Sequence, residues 1–111
     1  MSEADASLIQ EIVSLLAKKT GLKVAELSLD ARLLHDLGVD GDDARELILA
    51  FAHEFGVDIS AFRFSKHFRS EPSLLNVLWF LPSHKEERIE RKVPVTIRDL
   101  VEAARSKTWN L

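Results

Sequence analysis

At 111 residues, 46% of them hydrophobic and 30% charged, the chain has room for one domain with a modest core and none for a separate substrate domain. It has no cysteine, which excludes disulfide staples, thiolate nucleophiles and cysteine-bound zinc. The net charge of −3 is unevenly spread, with 12 acidic and 5 basic side chains in residues 1–60 against 6 and 10 in residues 61–111. Two solvated faces explain this as well as an acidic and a basic docking surface do.

The opening Met1-Ser2-Glu3-Ala4-Asp5 is polar and acidic and does not resemble a signal peptide. The first predicted element is a helix from about Asp5 to Lys19. Leu8, Ile9, Ile12, Val13, Leu15 and Leu16 recur at three- and four-residue spacing on one face. Lys18 and Lys19 suit the negative end of the helix dipole, and Gly21 supplies the stop. A long connection, Leu22 to Val39, carries apolar anchors at Val24, Leu27, Leu29, Leu33, Leu34 and Leu37. A connection of that length is expected to pack down or to carry function.

The second helix is the most sharply patterned element. Ala44, Leu47, Ile48, Phe51 and Phe55 form its apolar stripe, and Gly56 ends it. Asp40 is expected to cap its start through the carboxylate, with Asp42, Asp43 and Glu46 adding negative charge near the positive end of the dipole. Beyond Val57-Asp58-Ile59 come Phe62, Phe64 and Phe68, read as core aromatics. Leu74 to Leu81 reads equally as a strand or a short buried helix, and Lys85 to Lys92 as an exposed turn or hairpin arm. Interrupted by Asn76, the apolar run of Leu74 to Pro82 falls well short of the roughly 20 residues needed to span a bilayer. Thr96-Ile97-Arg98-Asp99 opens the last helix with a capping-box variant, and Ile97, Leu100, Val101 and Ala104 make its buried stripe.

Chemistry-bearing constellations are weak. A calcium loop needs oxygen ligands at fixed offsets around a central glycine, and Gly41 directly after Asp40 breaks that spacing. His35, His53, His67 and His84 are scattered, without His-Glu-x-x-His spacing, and are expected at the surface or its boundary. His35 beside Asp36 suggests an acid–base pair with no nucleophile nearby, and no Gly-x-Ser-x-Gly turn exists. Nucleic-acid binding would draw on Arg63, Lys66, Arg69, Lys85, Arg88, Arg91 and Lys92, but overall acidity and burial of the phenylalanines oppose it. No catalytic residue, cofactor or metal ligand is expected.

With the second helix placed, Leu37-Gly38-Val39-Asp40 resembles the Leu-Gly-Ala-Asp that precedes the modified serine of acyl carrier proteins. Asp43, Glu46-Leu47 and Glu54-Phe55-Gly56-Val57-Asp58-Ile59 continue the likeness, and Thr96-Ile97-Arg98-Asp99-Leu100 resembles the opening of the carrier's last helix. Gly41-Asp42-Asp43-Ala44, the Phe62-x-Phe64 segment and the late Trp109 resemble a bacterial subgroup of that superfamily. The resemblance implies a mainly α, acyl-carrier-like helical bundle, one domain over residues 1–111. An insertion at about residues 70–94 precedes the last helix and has room for a short strand pair.

The carrier's phosphopantetheine is attached through a serine hydroxyl. Gly41 stands in that position, Asp42 replaces the following leucine, and His53 stands where carriers often have an acid. The reading that follows is an interaction module in the cytoplasm, not an enzyme, docking a protein partner through the second helix, the insertion or both, with Asp42, Asp43, Arg45, Glu46, Leu49 and His53 as the helix's face toward a basic surface. The alternative is an acyl carrier or an accessory protein in acyl transfer.

Overall fold

A computed structural model describes residues 3–69 and 88–110 of the chain. It is mainly helical, and among the described residues there is no sheet, only two isolated bridges. The first helix, α1, covers Glu3–Thr20, with acids in its first turn and Lys18 and Lys19 in its last. Ile12 and Leu16, one turn apart on its inner face, are fully buried. Thr20 closes the helix by donating its hydroxyl to the Leu16 carbonyl at 2.6 Å and accepting the Leu22 amide at 3.1 Å. Gly21 follows at φ 75°, a left-handed stop open to glycine at little cost.

The long connection packs down, as its anchors predict. Leu27, Leu33, Leu34 and Val39 are buried, and Leu29 and Leu37 are partly so. Val24 departs from expectation, being 61% exposed. It begins a single 3₁₀ turn, Val24–Glu26, with Glu26 accepting the Lys23 amide; the tip of that turn faces outward while Leu27 inserts behind it. The connection then runs against the start of the last helix. The Leu33 amide donates to the Val95 carbonyl, Ile97 to Ala31 and Arg98 to Leu29, at 2.8 to 3.2 Å.

Helix α2 covers Gly41–Phe55 and buries the expected stripe of Ala44, Leu47, Ile48, Phe51 and Phe55. Gly56 ends it at φ 63°. A single turn, α3, covers Phe64–His67. After residue 88 a 3₁₀ turn, Ile89–Arg91, leads into the last helix, α4, at Ile97–Ser106. The capping box forms as predicted: Thr96 accepts the Asp99 amide at 3.1 Å, and Asp99 accepts the Thr96 amide at 2.9 Å. Helix α1 packs on both α2 and α4, and the core lies between them.

The chain end is fastened to the far end of α2. Asp58 and Thr108 form a parallel bridge, with the Asp58 amide donating to Lys107 and the Trp109 amide to Asp58. Lys107, at φ 65°, donates its ammonium to the Phe55 carbonyl at 2.8 Å, one of the acceptors left over at a helix C-terminus. The indole of Trp109 is buried. The Leu74–Leu81 segment, His84 and most of the expected insertion lie outside the described residues. Of the expected exposed arm, residues 88–92 form the 3₁₀ turn and its flanks.

Candidate functional site

The entrance to α2 is built by two glycines. Gly38 (φ 71°) turns the chain out of the 33–37 turn, and Gly41 (φ 58°) turns it into the helix. Between them Val39 is buried, its amide donating to the Leu33 carbonyl at 2.8 Å. Gly41 is itself buried. With φ at 58°, its backbone lies in the left-handed region that disfavours residues with a side chain.

Asp40 is the N-cap residue by position, but the expected carboxylate cap does not form. Its side chain turns instead to Arg69, accepting the Arg69 backbone amide on Oδ1 at 2.7 Å and the guanidinium Nε on Oδ2. The carboxylate of this pair is only 17% exposed. A charge-assisted bond to an arginine outcompetes capping at this site because it satisfies both carboxylate oxygens at once. The chain following α3 is thereby strapped across the helix entrance.

A second contact reinforces the strap. The guanidinium carbon of Arg45 lies 4.5 Å from the ring centre of Phe64, a favourable cation–π geometry. Phe64 in turn packs on Phe68, ring centres 5.3 Å apart, and Phe68 is fully buried. The aromatic segment is thus largely core, as expected, with Phe62 and Phe64 partly covered.

The six residues expected to meet a partner share the outer side of α2. Asp42, Asp43, Arg45, Glu46, Leu49 and His53 are all exposed, Leu49 by 57%. Arg45 is nonetheless committed to Phe64. His53, further along, borders an open cleft of about 1070 Å³ between α1 and α2, with Glu11, Lys18, Lys19 and Glu54 on its walls. Among the described residues no three His, Asp or Glu side chains converge as metal ligands would.

Two histidine expectations are corrected. Asp36 does not pair with His35; its carboxylate takes Nε and Nη2 of Arg32 at 3.0 and 2.9 Å and the Arg32 amide at 2.8 Å. Those bonds from Arg32 hold its pKa down at about 2. His67, expected near the surface, is 1% exposed. Its Nδ1–H donates to the Val93 carbonyl at 2.9 Å, because a carbonyl can only accept. Its ring centre is 5.2 Å from that of Phe62 and 5.8 Å from that of Trp109, and among the described residues Nε2 has no hydrogen-bond partner. Burial pushes the His67 pKa below its ordinary value, opposed by the Val93 bond. The one-turn spacing of Phe64, His67 and Phe68 signals this inner face in the sequence. Nothing local signals the Arg69–Asp40 strap.

The helical bundle, with Leu37-Gly38-Val39-Asp40 leading into its second helix at Gly41, is acyl-carrier-like. The chain belongs to the family described as "Protein of unknown function (DUF1493)", which it matches over residues 6–111. Over 59 residues it is 37% identical to the acyl carrier protein of Rickettsia bellii strain RML369-C, covering 53% of this chain and 67% of that protein. The acyl carrier protein of strain OSU 85-389 is equally similar over 59 residues, 53% of this chain and 72% of that protein. That of Solidesulfovibrio magneticus is 39% identical over 54 residues, 49% of this chain and 69% of that protein. No solved structure matches the chain. Among the described residues no helix is long and apolar enough to cross a membrane.

Proposed function

We propose that this chain is an acyl-carrier-like interaction module that binds a protein partner and neither carries a phosphopantetheine arm nor catalyses a reaction. The observation that carries the proposal is Gly41: a buried glycine at φ 58° in the position of the attachment serine. Glycine offers no oxygen for a phosphodiester, and the Arg69–Asp40 strap occupies the flank of the same turn. The exposed α2 side, with Asp42, Asp43, Arg45, Glu46, Leu49 and His53, is the docking face in this reading. Acidic groups there would attract a partner with a basic surface and steer its approach. The cytoplasm is the setting of this reading.

A second reading, an acyl carrier or accessory protein in acyl transfer, is favoured by the similarity to acyl carrier proteins over about half the chain. Intact mass separates the two. After co-expression with a phosphopantetheinyl transferase, the polypeptide mass alone is expected. A stoichiometric increase equal to the arm overturns the module reading. The docking face is tested by reversing charge at Asp43 and Glu46, which should reduce capture of a native partner while leaving the helical signal intact. Undiminished capture by the folded variant would remove α2 as the docking face.

A further inference from the structure

The second half of the chain places Arg63, Lys66, Arg69, Arg88, Arg91 and Lys92 in one lobe around a single exposed acid among the described residues, Glu90. Turn α3 and the 3₁₀ turn at Ile89–Arg91 are tied together: the Val93 amide donates to the Lys66 carbonyl at 2.9 Å, and the Lys92 ammonium to the Ser65 carbonyl at 2.7 Å. His67 adds its bond to Val93. Arg63, Lys66, Arg88 and Arg91 project from this lobe, all exposed, and form no ion pair among the described residues. Across the Arg45–Phe64 and Arg69–Asp40 contacts lies the outer side of α2, where Asp43 and Glu46 are likewise exposed and form no ion pair among the described residues.

Each patch also holds an exposed apolar side chain. Leu49, 57% exposed, follows Glu46 by one helical turn; Val93, 37% exposed, sits in the basic lobe beside Lys66. An apolar contact ringed by charge is the usual anatomy of a small protein interface. Two complementary patches side by side on one molecule are satisfied together when a second copy is related by a two-fold axis. We infer that this chain pairs with a second copy of itself, the α2 acids of each copy meeting the Arg63–Lys66 lobe of the other around a Leu49–Val93 contact.

The alternative occupant of the lobe, a nucleic-acid phosphate backbone, is less well served. Phe68 is buried, Phe62 and Phe64 are partly covered, and Phe64 lies against Arg45, so among the described residues no free stacking platform accompanies the positive charge. The neighbouring acids would also repel a long polyanion. The inference uses the same α2 acids as the docking reading, but the two fail separately: a strictly monomeric chain overturns the pairing and leaves that reading untouched.

The test is the mass of the full chain in solution, by light scattering or sedimentation, at low and high salt. A dimer is expected whose dissociation constant rises about tenfold or more as salt screens the charge pairs. Asp43→Lys/Glu46→Lys carries two positive patches and Arg63→Glu/Lys66→Glu two negative ones; each alone should be monomeric. Mixed in equal amounts they should form a heterodimer, which also shows that both variants are folded. A wild type that is monomeric at low salt, or reversal variants that stay dimeric, overturns the inference. So does a mixture that fails to pair while both components keep wild-type helical signal. A monomeric wild type whose Arg63→Glu/Lys66→Glu variant loses retention on an immobilised DNA duplex would assign the lobe to nucleic acid instead.

Discussion

His67 keeps its neutral form because its bond to Val93 consumes the Nδ1 proton, leaving Nε2 beside aromatic rings with nothing among the described residues to accept a second one. Protonation would create a donor without an acceptor in a buried place, a costly arrangement. Of the charged groups nearby, Asp99 favours the proton and Lys66 opposes it, but burial outweighs both. The folded state therefore binds this proton less readily than the unfolded chain, whose imidazole titrates near 6.5. Stability from this residue is complete above that pH and falls as pH drops through and below it. Denaturant midpoints at pH 7.5 and 5.5 should reveal a loss in wild type that is smaller in His67→Leu. Equal losses in both proteins would remove His67 as the cause.

At the scale of elements, α4 is the helix whose sequence specifies its own beginning. Thr96 and Asp99 satisfy each other's backbone amides, so Thr96→Ala should lower unfolding free energy by roughly 1 kcal/mol. Denaturant titration checks this, and an unchanged midpoint would show that the turn is held by packing alone. This element, and the stripe of α2, were legible because their determinants lie within one or two turns of each other. The entrance to α2 was only half legible. Asp40 has the right residue type for a cap, yet Arg69, 29 residues along the chain, claims its carboxylate. No local pattern announces a partner at that distance. His67 was misplaced for a related reason: its cover comes from Trp109 and Val93, both brought in by tertiary folding.

For the molecule as a whole, closure depends on the chain's last described turn. Trp109 buries its indole against Phe62 and His67, ring centres 4.9 and 5.8 Å away, while Lys107 and Thr108 bind the end of α2 and the residues after it. Trp109→Ala should cost roughly 3–5 kcal/mol, a large share of the 5–15 kcal/mol by which such domains are stable. Trp109→Phe should cost less, because it keeps most of the ring and removes an indole N–H that has no partner among the described residues. Thermal melts of the two variants check the order; a phenylalanine variant as damaged as the alanine one would mean that indole shape, not apolar bulk, holds the closure.

The left-handed glycine at the mouth of α2 also bears on how such a chain could change over generations. Placing a hydroxyl there with Gly41→Ser sets a side chain on a backbone at φ 58°, a strain of about 1 kcal/mol or more. The single replacement should thus give a less stable protein that a phosphopantetheinyl transferase still leaves unmodified by intact mass, since Arg69 continues to brace the turn in its present shape. Full modification of that variant would show the turn to be easily remade. On the expected outcome, a hydroxyl at this turn is reached only across a valley: side chain and backbone must change together, and a chain altered in only one of them is worse off than either end of the path.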